Sequence, residues 1–316
     1  MAGLDDSVAV GDEGWLFLKK GTNVVASQYG LEADPGEAKS AAWANLLLER
    51  RGRLEHSGAR YVHLGAPDKL TIYGDKLGFP ERGLGPLGRL SQYLGRAGCE
   101  APLLDPIPAF EAAKLGTKLY WQTDTHWTPW GCFLAYRLLC ERLQIEPVVD
   151  LLDRPFQETE GVLDLGSRFR PPIRERVRRY RFAVNSRRVG ANELVLYKEE
   201  KGLENAVGLH VGCEVHYRND HPSAVPASVV LFGDSFAEYR PSLLTGMLAE
   251  TFRELRFVWS AAMDMDYIGR VKPDIVISEL AERFMPTIPG DQLKLEQFAK
   301  ERIRSYEPEA APGNPH

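Results

Sequence analysis

The chain has 316 residues, 44% of them hydrophobic, so it could form one large α/β domain or two smaller ones. Its 39 basic and 44 acidic residues give a formal net charge of −5, which argues against a nucleic-acid partner. No stretch reaches the roughly 18 apolar residues that a transmembrane segment needs. The first residues lack the basic and apolar regions of a signal peptide, which favours a cytoplasmic location. The alternative is a periplasmic location, which we would expect if an export signal is missing from this sequence.

Predicted strands alternate with predicted helices along most of the chain. Short apolar runs predict strands at residues 60–65, 101–105, 229–232, 255–259 and 274–278. Apolar residues at helical spacing predict helices at residues 39–56, 84–97, 130–143, 237–250 and 291–306. Such alternation predicts an α/β fold with a mostly parallel sheet that is covered on both faces.

The domain organisation follows from where this alternation is interrupted. Residues 146–224 contain short β-like pieces at 193–197 and 214–217, and we expect them to form a less regular, partly β insertion. We expect residues 1–306 to form a single domain. The Pro/Gly-rich residues 307–316 are expected to be a flexible tail.

A serine stands where a predicted strand passes into a predicted helix. Residues 229–232 run into Gly233, Asp234 and Ser235. A strand that ends in a tight glycine turn presents a hydroxyl at the carboxyl edge of a sheet, as nucleophilic serines require. The Ser235 N–H would be a natural oxyanion donor, and Asp234 would hold the turn through backbone hydrogen bonds. The tripeptide alone is also compatible with a turn that only caps a helix.

The best candidate for a base is His126, which lies two residues after Asp124 in the aromatic, strand-like segment 119–128. In an extended chain these two side chains leave on the same face. The carboxylate could then take the Nδ1 proton, which would leave Nε2 free to face the Ser235 hydroxyl. Alternatives are an aspartate that caps a turn beside a core histidine, and a pair of metal ligands.

Other charged residues follow predicted strands and could reach the same edge. Lys69 and Arg240 are candidates for substrate binding; a local salt bridge for Lys69 and a solvated side chain for Arg240 are the alternatives. Three residues after the last strand are expected to brace its end as an ion network: Glu279, Glu282 and Arg283.

Neither a metal site nor a cofactor is expected. The three-residue spacing of His210, Cys213 and His216 could suggest zinc, but no second cysteine pair completes a structural site. No Walker A motif and no dinucleotide glycine fingerprint occurs.

Five segments together resemble a known family. In chain order they are GDEGWLFL (11–18), APDK (66–69), YWQTDTHWTPWG (120–131), VLFGDSF (230–236) and PDIVISELAERF (273–284). This order resembles that of the alginate O-acetyltransferases, the SGNH hydrolase-like acetyltransferase domains of bacterial exopolysaccharide acetylation. The resemblance spans roughly residues 10–285, with a poorly matched middle.

The resemblance implies a flavodoxin-like α/β/α sandwich and a catalytic triad of Ser235, His126 and Asp124. It implies a carbohydrate O-acetyltransferase that works in two steps through an acyl-serine, with an acyl donor, a carbohydrate acceptor and a membrane O-acyltransferase as candidate partners. The relatives work outside the cytoplasmic membrane. A carbohydrate acetylesterase and an inactive sugar-binding component of an assembly complex are the alternatives.

Overall fold

The computed structural model describes residues 6–20, 24–29, 37–78 and 83–306. The described strands are β1 (Val8–Val10), β2 (Leu16–Leu18), β3 (Arg60–Ala66), β4 (Leu103–Leu104), β5 (Phe156–Val162), β6 (Arg174–Tyr180), β7 (Ser186–Ala191), β8 (Glu214–Asn219), β9 (Val225–Gly233), β10 (Phe252–Trp259) and β11 (Ile275–Ala281). The described α-helices are α1 (Glu37–His56), α2 (Lys69–Tyr73), α3 (Pro86–Ala97), α4 (Ile107–Ala113), α5 (Pro129–Leu143), α6 (Glu193–Lys201), α7 (Leu244–Thr251), α8 (Met265–Val271) and α9 (Leu295–Tyr306). The tail predicted at residues 307–316 lies outside the described residues.

A seven-stranded sheet forms the centre of the molecule, in the order β4–β3–β11–β9–β10–β8–β7. The first five strands are parallel, and β8 and β7 are antiparallel to their neighbours. Alternate residues of β9 pack into two separate cores, Val229 and Leu231 into one and Val230 and Phe232 into the other. The sheet is therefore covered on both faces, and the predicted α/β fold with a mostly parallel sheet is confirmed.

Three neighbouring strands of this sheet end at one edge. Because β3, β11 and β9 are adjacent and parallel, the residues that follow them meet there. Asp68 follows β3, Glu282 follows β11 and Ser235 follows β9. This edge is where ligands bind in open α/β sheets, so it positions the candidate site.

The segment predicted as an insertion, residues 146–224, divides between two sheets. It supplies β8 and the edge strand β7 to the central sheet, and β5 and β6 form a separate antiparallel hairpin. The strand predicted at residues 214–217 is confirmed as part of β8. No helix within the described ranges is both long enough and apolar enough to cross a membrane.

The strand predicted at residues 193–197 is wrong, because these residues begin helix α6. The side chain of Asn192 caps this helix by accepting a hydrogen bond from the Val195 N–H, and Gly202 ends it in the left-handed conformation. Because these capping residues flank the segment, the apolar run ELVLY forms part of a helix and not a strand.

The helix predicted at residues 237–250 is wrong in its first half. After Ser235 the chain makes turns, and α7 occupies only the second half of the predicted range. Glu238 has φ of 63°, which no α-helix accommodates, and Pro241 lacks the N–H that a helix interior needs. Apart from the strand-like segment 119–128, the other predicted helices and strands are present, with ends shifted by at most four residues.

Candidate active site

Ser235 follows β9 in a turn that two carboxyl groups hold. Asp234 Oδ1 accepts a hydrogen bond from the Phe236 N–H at 2.9 Å, and its Oδ2 accepts one from the Ala281 N–H at 2.8 Å. The Asp234 N–H donates to Glu279 Oε2 at 3.0 Å. These bonds fasten the turn to β11, so Asp234 has a structural role beside the serine.

Gly233 lies at the start of this turn, where no side chain fits. A Cβ at this position would lie 3.0 Å from Ala237 Cβ and 3.0 Å from Glu279 Oε2. We expect Gly233→Ala to lower the free energy of unfolding by about 1–3 kcal/mol, because packed neighbours must move to admit the methyl group. Urea denaturation measures this change. Gly116→Ala is the matched control, since a Cβ there meets nothing within 4 Å. Equal stability of the two variants would contradict the prediction.

The structure brings Ser235, His126 and Asp124 together, as the sequence predicted. His126 Nε2 lies 2.7 Å from Ser235 Oγ, and His126 Nδ1 lies 2.6 Å from Asp124 Oδ1. With the proton on Nδ1, the imidazole donates to the carboxylate and accepts from the serine hydroxyl. A continuous hydrogen-bonded chain thus runs from the hydroxyl to the carboxylate.

Asp124 and His126 meet through a turn, and not through the strand predicted for residues 119–128. A single bridge between Tyr120 and Trp127 closes the segment, and the chain between them turns. Asp124 Oδ1 also accepts a hydrogen bond from the His126 backbone N–H at 2.8 Å. An aspartate that binds the N–H two residues on bends the chain locally. The predicted pairing is therefore present, but its assumed cause, strand alternation, is wrong.

The charges of this pair stabilise each other. Burial disfavours the charged form of Asp124, but the imidazole of His126 and hydrogen bonds from it lower the pKa of Asp124 to about 2. Burial also disfavours the imidazolium, yet Asp124 outweighs it and raises the pKa of His126 above its usual 6.5. A base of raised pKa beside a hydroxyl is suited to accepting its proton.

Lys69 binds the backbone of the turn that carries Asp124 and His126. It is buried, and its Nζ donates to the backbone carbonyls of Trp121, Gln122 and Asp124 at 3.0, 3.1 and 2.6 Å. Three acceptors match the three N–H bonds of an ammonium group. Burial lowers the pKa of Lys69 to about 7. The structure therefore gives Lys69 a structural role in place of the substrate contact that the sequence suggested.

Two acidic residues that the sequence analysis missed hold the N–H groups of the same turn. Glu175 accepts hydrogen bonds from the Gln122 and Thr123 N–H groups at 3.1 and 2.9 Å, and Asp164 accepts one from the Thr125 N–H at 3.0 Å. The local sequence gives little indication of these roles. Asp164 lies in a glycine-bounded loop (GVLDLG), and Glu175 lies in an arginine-rich strand (RERVRRY).

The charged residues at the end of β11 are buried under the site. Arg283 donates to Asp68 Oδ1 at 2.8 Å, an ion pair with a residue outside the predicted network of Glu279, Glu282 and Arg283. Glu282 instead accepts from the N–H groups of Asp68 and Leu87, each at 3.0 Å. Burial, followed by the charge of Asp68, raises the pKa of Glu282 to about 7, and burial raises the pKa of Glu279 well above its usual range. The network is therefore one ion pair with hydrogen-bonded carboxyl groups around it.

Arg240 lies beside a cavity of about 790 Å³ between the β5–β6 hairpin and the segment after Ser235. It donates to Glu238 Oε2 at 2.9 Å and to Asn205 Oδ1 at 3.2 Å. The rings of Tyr180 and Tyr239 line the same cavity. Arg240 is half-exposed there, and substrate binding by Arg240 stays a prediction.

One group of side chains in the described ranges is close enough to hold a metal ion. Ligand atoms of Asp124, His126 and Asp164 lie within 4.8 Å of one another. A metal there would break the Asp124–His126 hydrogen bond, so we interpret the group as a hydrogen-bonded cluster. The residues whose spacing suggested zinc do not form such a group in the part of the chain described: His210, Cys213 and His216.

Part of the chain is similar in sequence to known proteins. The family described as "SGNH hydrolase-like domain, acetyltransferase AlgX" matches residues 8–164, a range that includes Asp124, His126 and Asp164. A probable alginate O-acetylase AlgJ of Pseudomonas syringae pv. tomato is 28% identical over 135 residues, 42% of this chain. The match spans about a third of that relative's length (32%). Ser235 lies beyond the matched family range, so its place in the site depends on the geometry above.

Solved structures share the fold. The O-acetyltransferase domain of Pseudomonas putida AlgJ superposes with a TM-score of 0.56 at 19% identity, over 95% of this chain and 99% of that one. Bacillus cereus PatB1 with a sulfonyl adduct gives a TM-score of 0.62 at 14% identity, over 90% of this chain and 97% of that one. A DHHW family protein from Eubacterium siraeum gives 0.63 at 13% identity, over 96% and 97%. The resemblance seen in the sequence motifs is confirmed: residues 8–164 match the SGNH hydrolase-like acetyltransferase family, and the chain shares the fold of the AlgJ O-acetyltransferase domain.

Proposed function

We propose that this protein is a carbohydrate O-acetyltransferase in which Ser235 carries the acetyl group from donor to acceptor. The observation that carries the proposal is the hydrogen-bonded chain from Ser235 Oγ through His126 to Asp124, with links of 2.7 and 2.6 Å. A serine hydroxyl is too weak an acid to attack an ester without a base, and this chain supplies one. The name of the AlgJ relative, an alginate O-acetylase, supports a polysaccharide hydroxyl as acceptor.

The reaction would proceed in two steps of acyl transfer. Ser235 Oγ attacks the carbonyl carbon of the acetyl donor while His126 Nε2 takes the hydroxyl proton, and the tetrahedral intermediate expels the donor alcohol, which receives that proton. The serine is then an acetyl ester. A sugar hydroxyl gives its proton to His126 and attacks this ester, and Ser235 leaves with the proton restored. Asp124 keeps the imidazole in one tautomer and stabilises its charged form.

The backbone N–H of Ser235 is the oxyanion donor that we assign. It makes no hydrogen bond to the protein within the described ranges. It lies in the turn between β9 and the following segment, on the residue that bears the attacking oxygen. A donor placed there can stabilise the negative charge that develops on the carbonyl oxygen.

The rate should depend on the ionisation of His126. Because the imidazole must be neutral to accept a proton, and because Asp124 raises its pKa above 6.5, we expect kcat/KM to rise with pH and to reach half its plateau above pH 6.5. Initial rates between pH 5 and pH 9 with two donors of different leaving group would measure this limb. A half-maximal rate below pH 6.5 with both donors would contradict the assigned base.

Acetyl transfer to a defined acceptor tests the proposal. The protein is incubated with 4-nitrophenyl acetate, with and without alginate oligosaccharides, and both sugar and protein are analysed by mass spectrometry. We expect sugars that carry an added acetyl group and, without acceptor, acetyl bound to Ser235. Ser235→Ala removes both signals, whereas Ser305→Ala, which changes an exposed serine of α9, leaves them unchanged.

The remaining outcomes identify the alternatives. Free acetate that depends on Ser235, with no acetylated sugar, indicates an esterase. Binding of the oligosaccharide without Ser235-dependent turnover and without acetyl-Ser235 indicates an inactive sugar-binding protein. Either result would overturn the proposed transferase.

A further inference from the structure

We infer that Asp164 is a positioning residue of the active site, a second carboxylate that fixes the orientation of the His126 imidazole through Thr125. Its kinetic consequence depends on the function proposed above. Asp164 lies 39 residues after Thr125 in the chain.

The contacts form a closed ring around Thr125. Asp164 Oδ1 accepts a hydrogen bond from the Thr125 N–H at 3.0 Å, and Asp164 Oδ2 accepts one from the Thr125 hydroxyl at 2.6 Å. The same hydroxyl oxygen lies 3.4 Å from His126 Nδ1, and the Asp164 N–H points to Asp124 Oδ2 at 3.4 Å. Asp164 therefore contacts the residue between Asp124 and His126 through its side chain, and Asp124 through its backbone.

The position of Asp164 is itself fixed by backbone bonds. The N–H groups of Leu165 and Gly166 both donate to the Thr123 carbonyl, at 3.1 and 3.0 Å. A Cβ on Gly166 would lie 2.4 Å from the Ile173 carbonyl oxygen, so this loop packs directly on backbone. The loop that carries Asp164 is thus anchored to the turn that carries His126, and neither can shift without the other.

The charge of Asp164 acts in the same direction as that of Asp124. Both oxygens of Asp164 accept hydrogen bonds in this arrangement, which suits a carboxylate. The charged groups that face His126 are Asp124 and Asp164, which favour the imidazolium, and Arg283, which disfavours it. Lys69 donates to the backbone carbonyls of the turn and interacts electrostatically with both carboxylates. Removal of the Asp164 charge should therefore lower the pKa of His126.

Titration of the His126 imidazole tests this inference without substrate. ¹⁵N NMR of ring-labelled protein is recorded across pH for wild type, Asp164→Asn and the control Asp153→Asn, with His126→Gln used to assign the signal; Asp153 is exposed. We expect Asp164→Asn to lower the pKa of His126 by about one unit and Asp153→Asn to leave it in place, as a lost carboxylate at this distance should.

Kinetics of the same variants test positioning. We expect Asp164→Asn to lower kcat about tenfold with little change in KM, because a small misplacement of the base slows the chemical step more than binding. Thr125→Val should lower kcat similarly, since it loses the hydroxyl that donates to Asp164. Thr125→Ser keeps this hydroxyl and should retain most of the wild-type rate. If Asp164→Asn fails to fold, the comparison of Thr125→Val with Thr125→Ser tests the same inference.

The outcomes separate the two proposals. Identical His126 titration and identical kcat in Asp164→Asn and Asp153→Asn would overturn the role of Asp164, even if Ser235→Ala abolishes transfer. Lower thermal stability of Asp164→Asn without a titration shift or a kcat effect would also overturn it, because a purely structural residue behaves in that way. Transfer that survives Ser235→Ala would overturn the proposed function, whatever the titration shows.

Discussion

Replacement of His126 by glutamine is expected to lower the rate of acetyl transfer by about 10²–10⁴-fold while the fold is retained. Glutamine can still reach toward Ser235, but it cannot accept the hydroxyl proton, so the loss of general-base catalysis appears in full. The His126 ring packs 4.9 Å from the Phe236 ring, a contact that glutamine only partly replaces. Initial rates of 4-nitrophenyl acetate turnover and of sugar acetylation measure the effect.

Matched variants separate catalysis from stability at this position. His221→Gln changes an exposed histidine and should keep the wild-type rate. Because Ser235, His126 and Asp124 act as a unit, we expect the double variant His126→Gln with Ser235→Ala to be little slower than either single variant. A His126→Gln protein with more than about a tenth of the wild-type activity would contradict the role of His126 as base.

Lys69→Met is expected to lower the free energy of unfolding by about 2–4 kcal/mol. Methionine has a similar length but no donor, so the carbonyls of Trp121, Gln122 and Asp124 would lose their shared partner in a buried place. The cost is partly offset because a buried ammonium is no longer removed from water. Urea denaturation measures the loss, and kcat should fall with it because the turn that carries His126 relaxes.

The control for this prediction is Lys300→Met, which changes an exposed lysine of α9 and should alter stability by less than about 0.5 kcal/mol. Substrate binding by Lys69 would give another pattern, a raised KM at unchanged stability. That pattern would show the structural role of Lys69 to be wrong.

The parts of the site that the sequence predicted are those with a local cause. The turn at Gly233 to Ser235 follows a β-branched run, and Gly233 is required where a Cβ would meet Glu279. The helix predicted at residues 130–143 is α5, which begins at Pro129 and is capped by the Thr128 side chain. Such features depend on a few consecutive residues, and the sequence displays them directly.

The residues that the sequence missed act over long separations. Glu175 contacts the turn from 52 to 53 positions away, and Asp164 from 39 positions away. A buried turn must satisfy each of its N–H and carbonyl groups, but the identity of the partners depends on which loops the fold brings over it. Local pattern cannot supply that information.

By itself, therefore, the sequence determined the alternation of strands and helices, the serine at the end of a strand and the pair Asp124 and His126, because hydrophobic period, glycine and spacing are local properties. Only the tertiary structure decided that Asp124 and His126 meet in a turn, that Lys69 donates to the carbonyls of this turn, and that Asp164 accepts hydrogen bonds from Thr125 within it. These roles arise from packing of the loops at one edge of the sheet. There, most buried polar groups find a partner that is near in space, regardless of its distance along the chain.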